Sequence, residues 1–339
     1  MVGTLVLAGL IVIGSRNLAD FDSALVGYTF AVLFATFGLI YRYSVWLSKP
    51  PTRRHWRRGW QLLFTGSHLT FRERWTVLIK AIFSRILIQD FVFRRGARRY
   101  VGHMLLAWGC ILAAIVTFPL VFGWIHFEQG QIEPVPTYRV IFFGFHVDDM
   151  PLTGFKSWFA FHALVVSGFM VVGGVMIVMF RRMFDMGAVA VERFSRDFLP
   201  LILLFAIAVS GLLLWVSYEW FNGQFYNALA QFHAITVITT LVYLPFGKLF
   251  HIFQRPASLG IALYRAAGEQ GDPAVCPVTT EPFAPKLQTE DLKEVLPELG
   301  FDYSAPGGAD RPAWNEVSPR GRRILIGRAH NAVRGGKFD

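Results

Sequence analysis

Nine histidines stand in this chain, and four of them, His103, His162, His233 and His251, fall inside long apolar runs. An ionisable side chain surrounded by hydrocarbon is costly, so a histidine kept there is functional by default and has a partner to be named. His55, His68, His126, His146 and His330 lie in polar connections or the tail and read as solvated or interfacial side chains. The four embedded rings sort by depth once the chain direction is followed. His103 opens one run and His251 closes another, which puts both at one level, whereas His162 and His233 each lie about one turn into runs that begin on the opposite side. On a continuous helix the 18 residues from His233 to His251 are five turns and roughly 27 Å of rise, so one face would present two rings at two depths. Imidazoles facing each other from different helices, once at each depth, are the donor set that holds two b-type haems by their axial positions. Copper or di-iron centres want clustered ligands or carboxylates at a single depth, and these runs carry almost no Asp or Glu.

Five apolar stretches are long enough to position those rings across a bilayer, roughly 24–47, 100–122, 158–180, 198–218 and 229–253. A sixth, 1–14, is short, and it lacks the basic start and the small-residue cleavage site of a signal peptide. The composition agrees: 54% of the 339 residues are hydrophobic and only 17% charged, against about 25% charged in a soluble domain. The expected fold is an all-α membrane protein, a bundle of five long transmembrane helices with the short N-terminal sixth. Two cysteines, Cys110 and Cys276, exclude a disulfide framework or a four-thiolate site, so any iron-sulfur chemistry belongs to a partner. The net charge of +10 sets topology rather than nucleic-acid binding. Residues 49–99 carry thirteen Lys or Arg against Glu73 and Asp90, which by the positive-inside rule makes this loop cytoplasmic. The alternation then places residues 254–339 in the cytoplasm as well, as a mostly irregular tail that orders against other subunits. The expected domains are therefore 1–253, a transmembrane dihaem unit containing the basic loop, and 254–339, in a multi-pass protein of a bacterial-type inner membrane.

The last run resembles a known family. Phe232-His233, the stretch Leu241-Val242-Tyr243-Leu244-Pro245-Phe246-Gly247-Lys248-Leu249-Phe250-His251-Ile252-Phe253 and the following Pro256 are similar to the haem-ligand helix of the gamma subunit of respiratory nitrate reductase, and Gly102-His103 with Trp108-Gly109 is similar to that family's second helix. The likeness extends over the five long runs. It implies a dihaem cytochrome b that anchors an iron-sulfur subunit and a molybdenum subunit and exchanges electrons with quinol. By the same resemblance His103 and His251 would ligate the inner haem and His233 the outer one. Where the family has a further histidine ten residues along its second helix, this chain has Ala113. His162, at matching depth, is the candidate replacement, with His126 and His146 behind it.

Arg94, Arg95, Arg98 and Arg99 stand next to His103 in sequence, where guanidinium groups could pair with haem propionates or serve as plain positive-inside anchors. Glu128, His146, Asp148, Asp149, Lys156 and Glu219 are available as proton acceptors for a quinol. The run Val171-Val172-Gly173-Gly174 reads as a close helix crossing or an approach for a cofactor ring. Val275-Cys276-Pro277 and Ser318-Pro319-Arg320 look like ribbon knuckles without the cysteines zinc needs. The leading expectation is an electron-transfer subunit. A membrane cytochrome of a hydrogenase, formate dehydrogenase or heterodisulfide-reductase-like complex is the redox alternative. A transporter would show related halves and broken helices, of which only a kink at Pro245 is suggested. A purely structural anchor would leave the four histidines unexplained.

Overall fold

The computed structural model describes residues 1–65, 68–132, 135–185, 187, 190, 192–301, 303 and 313–335. The chain forms two compact units, one of Met1–Arg42 with Asp90–Ile252, the other of Tyr43–Gln89 with Phe253–Asp339. The division expected from sequence differs in residues 43–89, which pack with the tail.

In the first unit, α1 (Val2–Gly14) and α2 (Val26–Ser48) are followed by α5 (Asp90–Phe93), α6 (Ala97–Val121), α7 (Phe155–Phe184), α8 (Leu199–Trp220) and α9 (Tyr226–Tyr243). Among the described residues, four helical segments, Ser23–Ser48, Ala97–Val121, Phe155–Phe184 and Phe194–Trp220, are long and apolar enough to cross a membrane. The fifth expected span is broken. After Tyr243 the chain bends by 67° before Lys248–Gln254, which contains α10 (His251–Gln254). The 27 Å rise from His233 to His251 on one straight helix therefore does not exist. Small residues let the long helices approach closely. Added Cβ atoms at Gly102 and Gly109 of α6 would meet Ile177 and Val171 of α7 at 2.9 and 2.8 Å, and one at Gly174 would meet the Leu106 backbone at 2.8 Å. Ser167 Oγ donates across the same contact to the Gly109 carbonyl at 3.0 Å. The Gly173–Gly174 region is thus a helix crossing. Val171, Val175, Leu201 and Ala208 close α7 on α8, and Gly27 and Gly38 of α2 receive Ile238 of α9 and Pro245.

The connection from α6 to α7, expected as loop, is a three-stranded antiparallel sheet of β1 (Ile125–Ile132), β2 (Val135–Phe142) and β3 (Phe145–Pro151). Phe143 and Gly144 join β2 to β3, both with positive φ, the two-residue turn whose twist suits a hairpin. The protein is mostly helical with this sheet at one end of the first unit.

In the second unit the supposed basic loop is helical, as α3 (Pro50–Phe64) and α4 (Phe71–Ala81), the latter opened by a Thr70–Glu73 capping box. The tail is not mostly irregular either. It carries α11 (Ala257–Gln270), the hairpin β4 (Pro273–Val275) and β5 (Pro282–Pro285), α12 (Lys286–Glu298) and α13 (Pro319–Val333). Leu62, Leu69, Leu263 and Ala267 form its core, and Gly59 crosses Gly260 backbone to backbone. Cys276 is buried against the start of α13, where Ser318 N–H donates to its Sγ at 3.3 Å. Burial raises its pKa, but hydrogen bonds from Ser318 and Thr279 outweigh that and bring it to about 6.

The polar lock of this unit is Asp291. It is buried on α12 and receives Arg54 Nε at 2.7 Å and Arg58 Nε at 3.0 Å from α3, while Arg53 and Arg54 also reach Glu298 and Glu294. Losing one partner of a buried ion pair strands the others. Because both guanidinium groups are partly exposed, Asp291→Ala is expected to cost about 2 kcal/mol, less than a fully buried pair. Limited proteolysis of the full chain in detergent should then cut between α11 and α12 faster than in the unmodified protein, and an unchanged rate would refute the lock.

Candidate functional site

The four embedded histidines all belong to the first unit, at His103 on α6, His162 on α7, His233 on α9 and His251 at the start of α10. What unites three of them is the use of Nδ1. His162 Nδ1 lies 2.8 Å from the Trp158 carbonyl one turn back, and His251 Nδ1 lies 2.7 Å from the Lys248 carbonyl. A carbonyl only accepts, so Nδ1 carries the proton in both rings. At His233 the partner is Ser210 Oγ of α8, at 2.8 Å. Ser210 gives its own proton to the Ile207 carbonyl at 3.0 Å, and Thr236 gives its proton to the His233 carbonyl at 2.7 Å. With that proton on the Ile207 carbonyl, the Ser210 oxygen is able to accept from Nδ1–H of the ring. With Nδ1–H committed, the neutral imidazole keeps its lone pair on Nε2, the tautomer that a metal ligand needs. His103 is half-buried beside Gly102, at the close crossing with Ile177 of α7.

Ring space is provided as well. An added Cβ at Gly211 would stand 3.3 Å from His233 Cε1, so a larger residue there would press on the ring. Trp158 stacks on His162 at 4.9 Å between centroids. Among the described residues no three His, Cys, Asp or Glu side chains gather as a metal site. A haem, unlike a zinc or di-iron centre, needs only two imidazoles from separate helices. His103, His162, His233 and His251 stand on four separate helical elements.

The equal depth of His162 and His233 inferred from sequence does not survive the packing register. Gly168 of α7 meets Leu212 of the antiparallel α8, and Ser210 reaches His233. His233 thus stands at the level of residue 170 on α7, eight residues or about 12 Å from His162 along the axis.

Around His251, a residue invisible to motif reasoning sets the geometry. The break after α9 frees the Pro245 and Gly247 carbonyls, and Arg42 of α2 donates to both, to Gly247 at 3.0 Å. The same guanidinium lies over the Phe250 ring, 4.4 Å from its centroid. Only glycine fits at position 247, because a Cβ would fall on the Tyr243 ring. Tyr243 in turn donates to the Ser195 carbonyl at 2.6 Å, and Lys248 pairs with Asp197, which Arg182 of α7 also approaches at 3.7 Å. The lone Arg42 between Tyr41 and Tyr43 was the available signal, and its acceptors are some two hundred residues away.

Arg94, Arg95, Arg98 and Arg99 are exposed. Arg94 pairs loosely with Asp90 at 3.5 Å and Arg99 with Asp185 at 3.9 Å. Arg98 and Arg99 occupy the first turn of α6, which has no acidic residue, so the positive helix end and the cations attract anions together. At the sheet end, His126 stands between Asp20 (Nδ1 to Oδ2, 3.7 Å) and Glu128 (Nε2 to Oε1, 3.4 Å), and His146 Nε2 lies 3.1 Å from Asp149. Hydrogen bonds from Arg16 hold Asp20 below the ordinary carboxylate range, against the effect of burial and with help from His126. Lys156 pairs with Asp148 at 3.2 Å, and Glu219 is exposed.

No protein-family model, curated protein or solved structure matches this chain.

Replacing Arg42 by Gln leaves a carbonyl of the break without a partner, which should cost about 2 kcal/mol. Gly247→Ala should cost a similar amount through overpacking against Tyr243, about 1–3 kcal/mol. Thermal unfolding in detergent checks both, and wild-type stability in both variants would refute the role given to the break.

Proposed function

We propose that the protein is the membrane-anchor cytochrome b subunit of a respiratory oxidoreductase complex, passing electrons between quinol and an iron-sulfur partner through two b haems. The observation that supports this reading is the shared use of Nδ1 by His162, His233 and His251, whose rings are oriented by the Trp158 carbonyl, Ser210 Oγ and the Lys248 carbonyl. His103 and His251 are the proposed axial pair of the haem on the basic side, and His233 is the proposed ligand of the other; the offset of about 12 Å takes His162 out of the matching depth that made it the partner, so the variants below assign the second ligand. Bound haem iron would alternate between ferric and ferrous states and so carry one electron at a time.

The chain's own residues then have separate tasks. Ser210 and the carbonyls of Trp158 and Lys248 orient the rings; Arg42 holds the break that presents His251. Arg98 and Arg99 offer cations to carboxylate groups at the start of α6. His126, between two carboxylates, and the His146–Asp149 pair can accept quinol protons at the sheet end and release them to water. The iron-sulfur subunit, and a molybdenum subunit beyond it, would dock on the side of the basic segment. Broken helices also occur in transporters, where the freed carbonyls coordinate ions. Here Arg42 takes those carbonyls, which favours the redox reading.

The test is haem content. Pyridine haemochrome analysis of the purified chain should give two b haems per polypeptide, and His103→Ala or His251→Ala should leave one. Full content in both variants would overturn the pairing. The 12 Å offset makes His162 the decisive second variant: His162→Ala should lose a haem that His126→Ala keeps, and the reverse outcome assigns the ligand to His126 instead.

The same proposal puts residues 49–99 and the tail on the cytoplasmic side. Cysteines introduced at Lys80 and His330 should label from one face of sealed vesicles, and labelling from opposite faces would contradict that topology.

A further inference from the structure

The first residue after α2 is Lys49, and α3 begins at Pro50, so α3 starts where a candidate span ends. An unbroken series of aromatic contacts runs across that junction. Trp46 meets Tyr43 at 5.2 Å, Tyr43 meets Trp56 at 5.6 Å, and Trp56 meets Trp60, which stacks on Phe64, each at 5.7 Å between centroids. Trp and Tyr concentrate at the level of lipid headgroups because their rings are apolar with a polar edge.

Both α3 and α4 bury one face against α11, α3 through Leu62 and α4 through Val77, in the cluster that also holds Leu69, Leu263 and Ala267. Their opposite faces carry apolar side chains at helical spacing: Trp60 and Phe64 on α3; Phe71, Trp75 and Ile79 on α4. Phe64 is 72% exposed, Phe71 68% and Ile79 61%. Arg57, Arg72 and Lys80 are exposed beside them, with no carboxylate partner among the described residues. The only acid between residues 43 and 89 is Glu73, whose oxygen is taken by Thr70 at the helix start. An apolar face edged by unopposed cations, tied by one residue to the end of a span, fits the surface of a bilayer rich in anionic lipid.

We propose that α3 and α4 form an interfacial platform that lies on the leaflet where α2 ends, with the aromatic side chains at the boundary of headgroups and acyl chains and Arg57, Arg72 and Lys80 on anionic headgroups. This goes beyond the electron-transfer reading and does not depend on it. Such a platform fixes the height of the second unit at the membrane.

The experiment places p-benzoylphenylalanine singly at Trp60, Phe64, Trp75 and Ile79 of the full chain. Each variant is reconstituted in vesicles of equal phosphatidylglycerol and phosphatidylcholine, irradiated and weighed by intact-mass spectrometry. Ile115, an exposed residue within the α6 span, is the control. The proposal expects phospholipid adducts at all four positions, with phosphatidylglycerol preferred roughly fivefold and that preference lost in the Arg57→Gln, Arg72→Gln, Lys80→Gln background. Adducts at Ile115 alone, or cross-links to a second protein copy at the four positions, would overturn it. Lipid adducts without anion preference would remove the headgroup contacts and overturn the proposal as stated. If Ile115 also fails to capture lipid, the membrane placement of α6 falls together with the platform.

Discussion

Hydrocarbon offers no hydrogen bonds, so every polar group carried by the apolar helices must find its partner inside the protein. The first unit is organised by that constraint. Ser167 closes on the Gly109 carbonyl, Ser210 links the Ile207 carbonyl to the His233 ring, and Arg42 covers the carbonyls that the break after α9 exposes. In each case the group that satisfies one helix belongs to its neighbour, so the hydrogen bonds that make burial tolerable also fix which helices meet and at what register. Three of the histidines gain orientation from the same rule: Nδ1 of His162, His233 and His251 is held by the scaffold.

The second unit follows the rules of water and of interfaces. Its helices are amphipathic, its core is the apolar contact of α3 and α4 with α11, and its buried charge on Asp291 is answered by two arginines. The arginines that a topology rule counts as a bulk positive charge are therefore of two kinds. Arg54 and Arg58 hold the unit together, while Arg57, Arg72 and Lys80 remain outward. Substitution of the first kind acts on stability and substitution of the second on whatever the surface meets.

Much of this was legible in residue types alone. Four long apolar helices lie where the hydropathy placed them; His103 and His162 fall on two of these, and His233 and His251 on the two halves of the bent pair that follows. The height of each ring was not legible, because height depends on packing register and on a 67° bend that a run of apolar residues conceals. Pro245 and Gly247 hinted at the break, but the stabilising Arg42 is distant in sequence. The sheet of residues 125–151 was missed because its strands alternate weakly and carry Gly, Pro and charges. The tail looked irregular for the same reason: Pro and Gly dominate its connections, while α12 and α13 owe their place to Asp291 and to the Cys276–Ser318 contact.

The central claim is that imidazole pairs from different helices hold two haems within the first unit. Near-infrared magnetic circular dichroism of the oxidised, purified chain tests it most directly, because the energy of the charge-transfer band reports the axial ligands. The account predicts low-spin ferric haem with two imidazole ligands, amounting to two per chain. A chain that binds no haem, or one whose haem is high-spin with a single histidine, would contradict it.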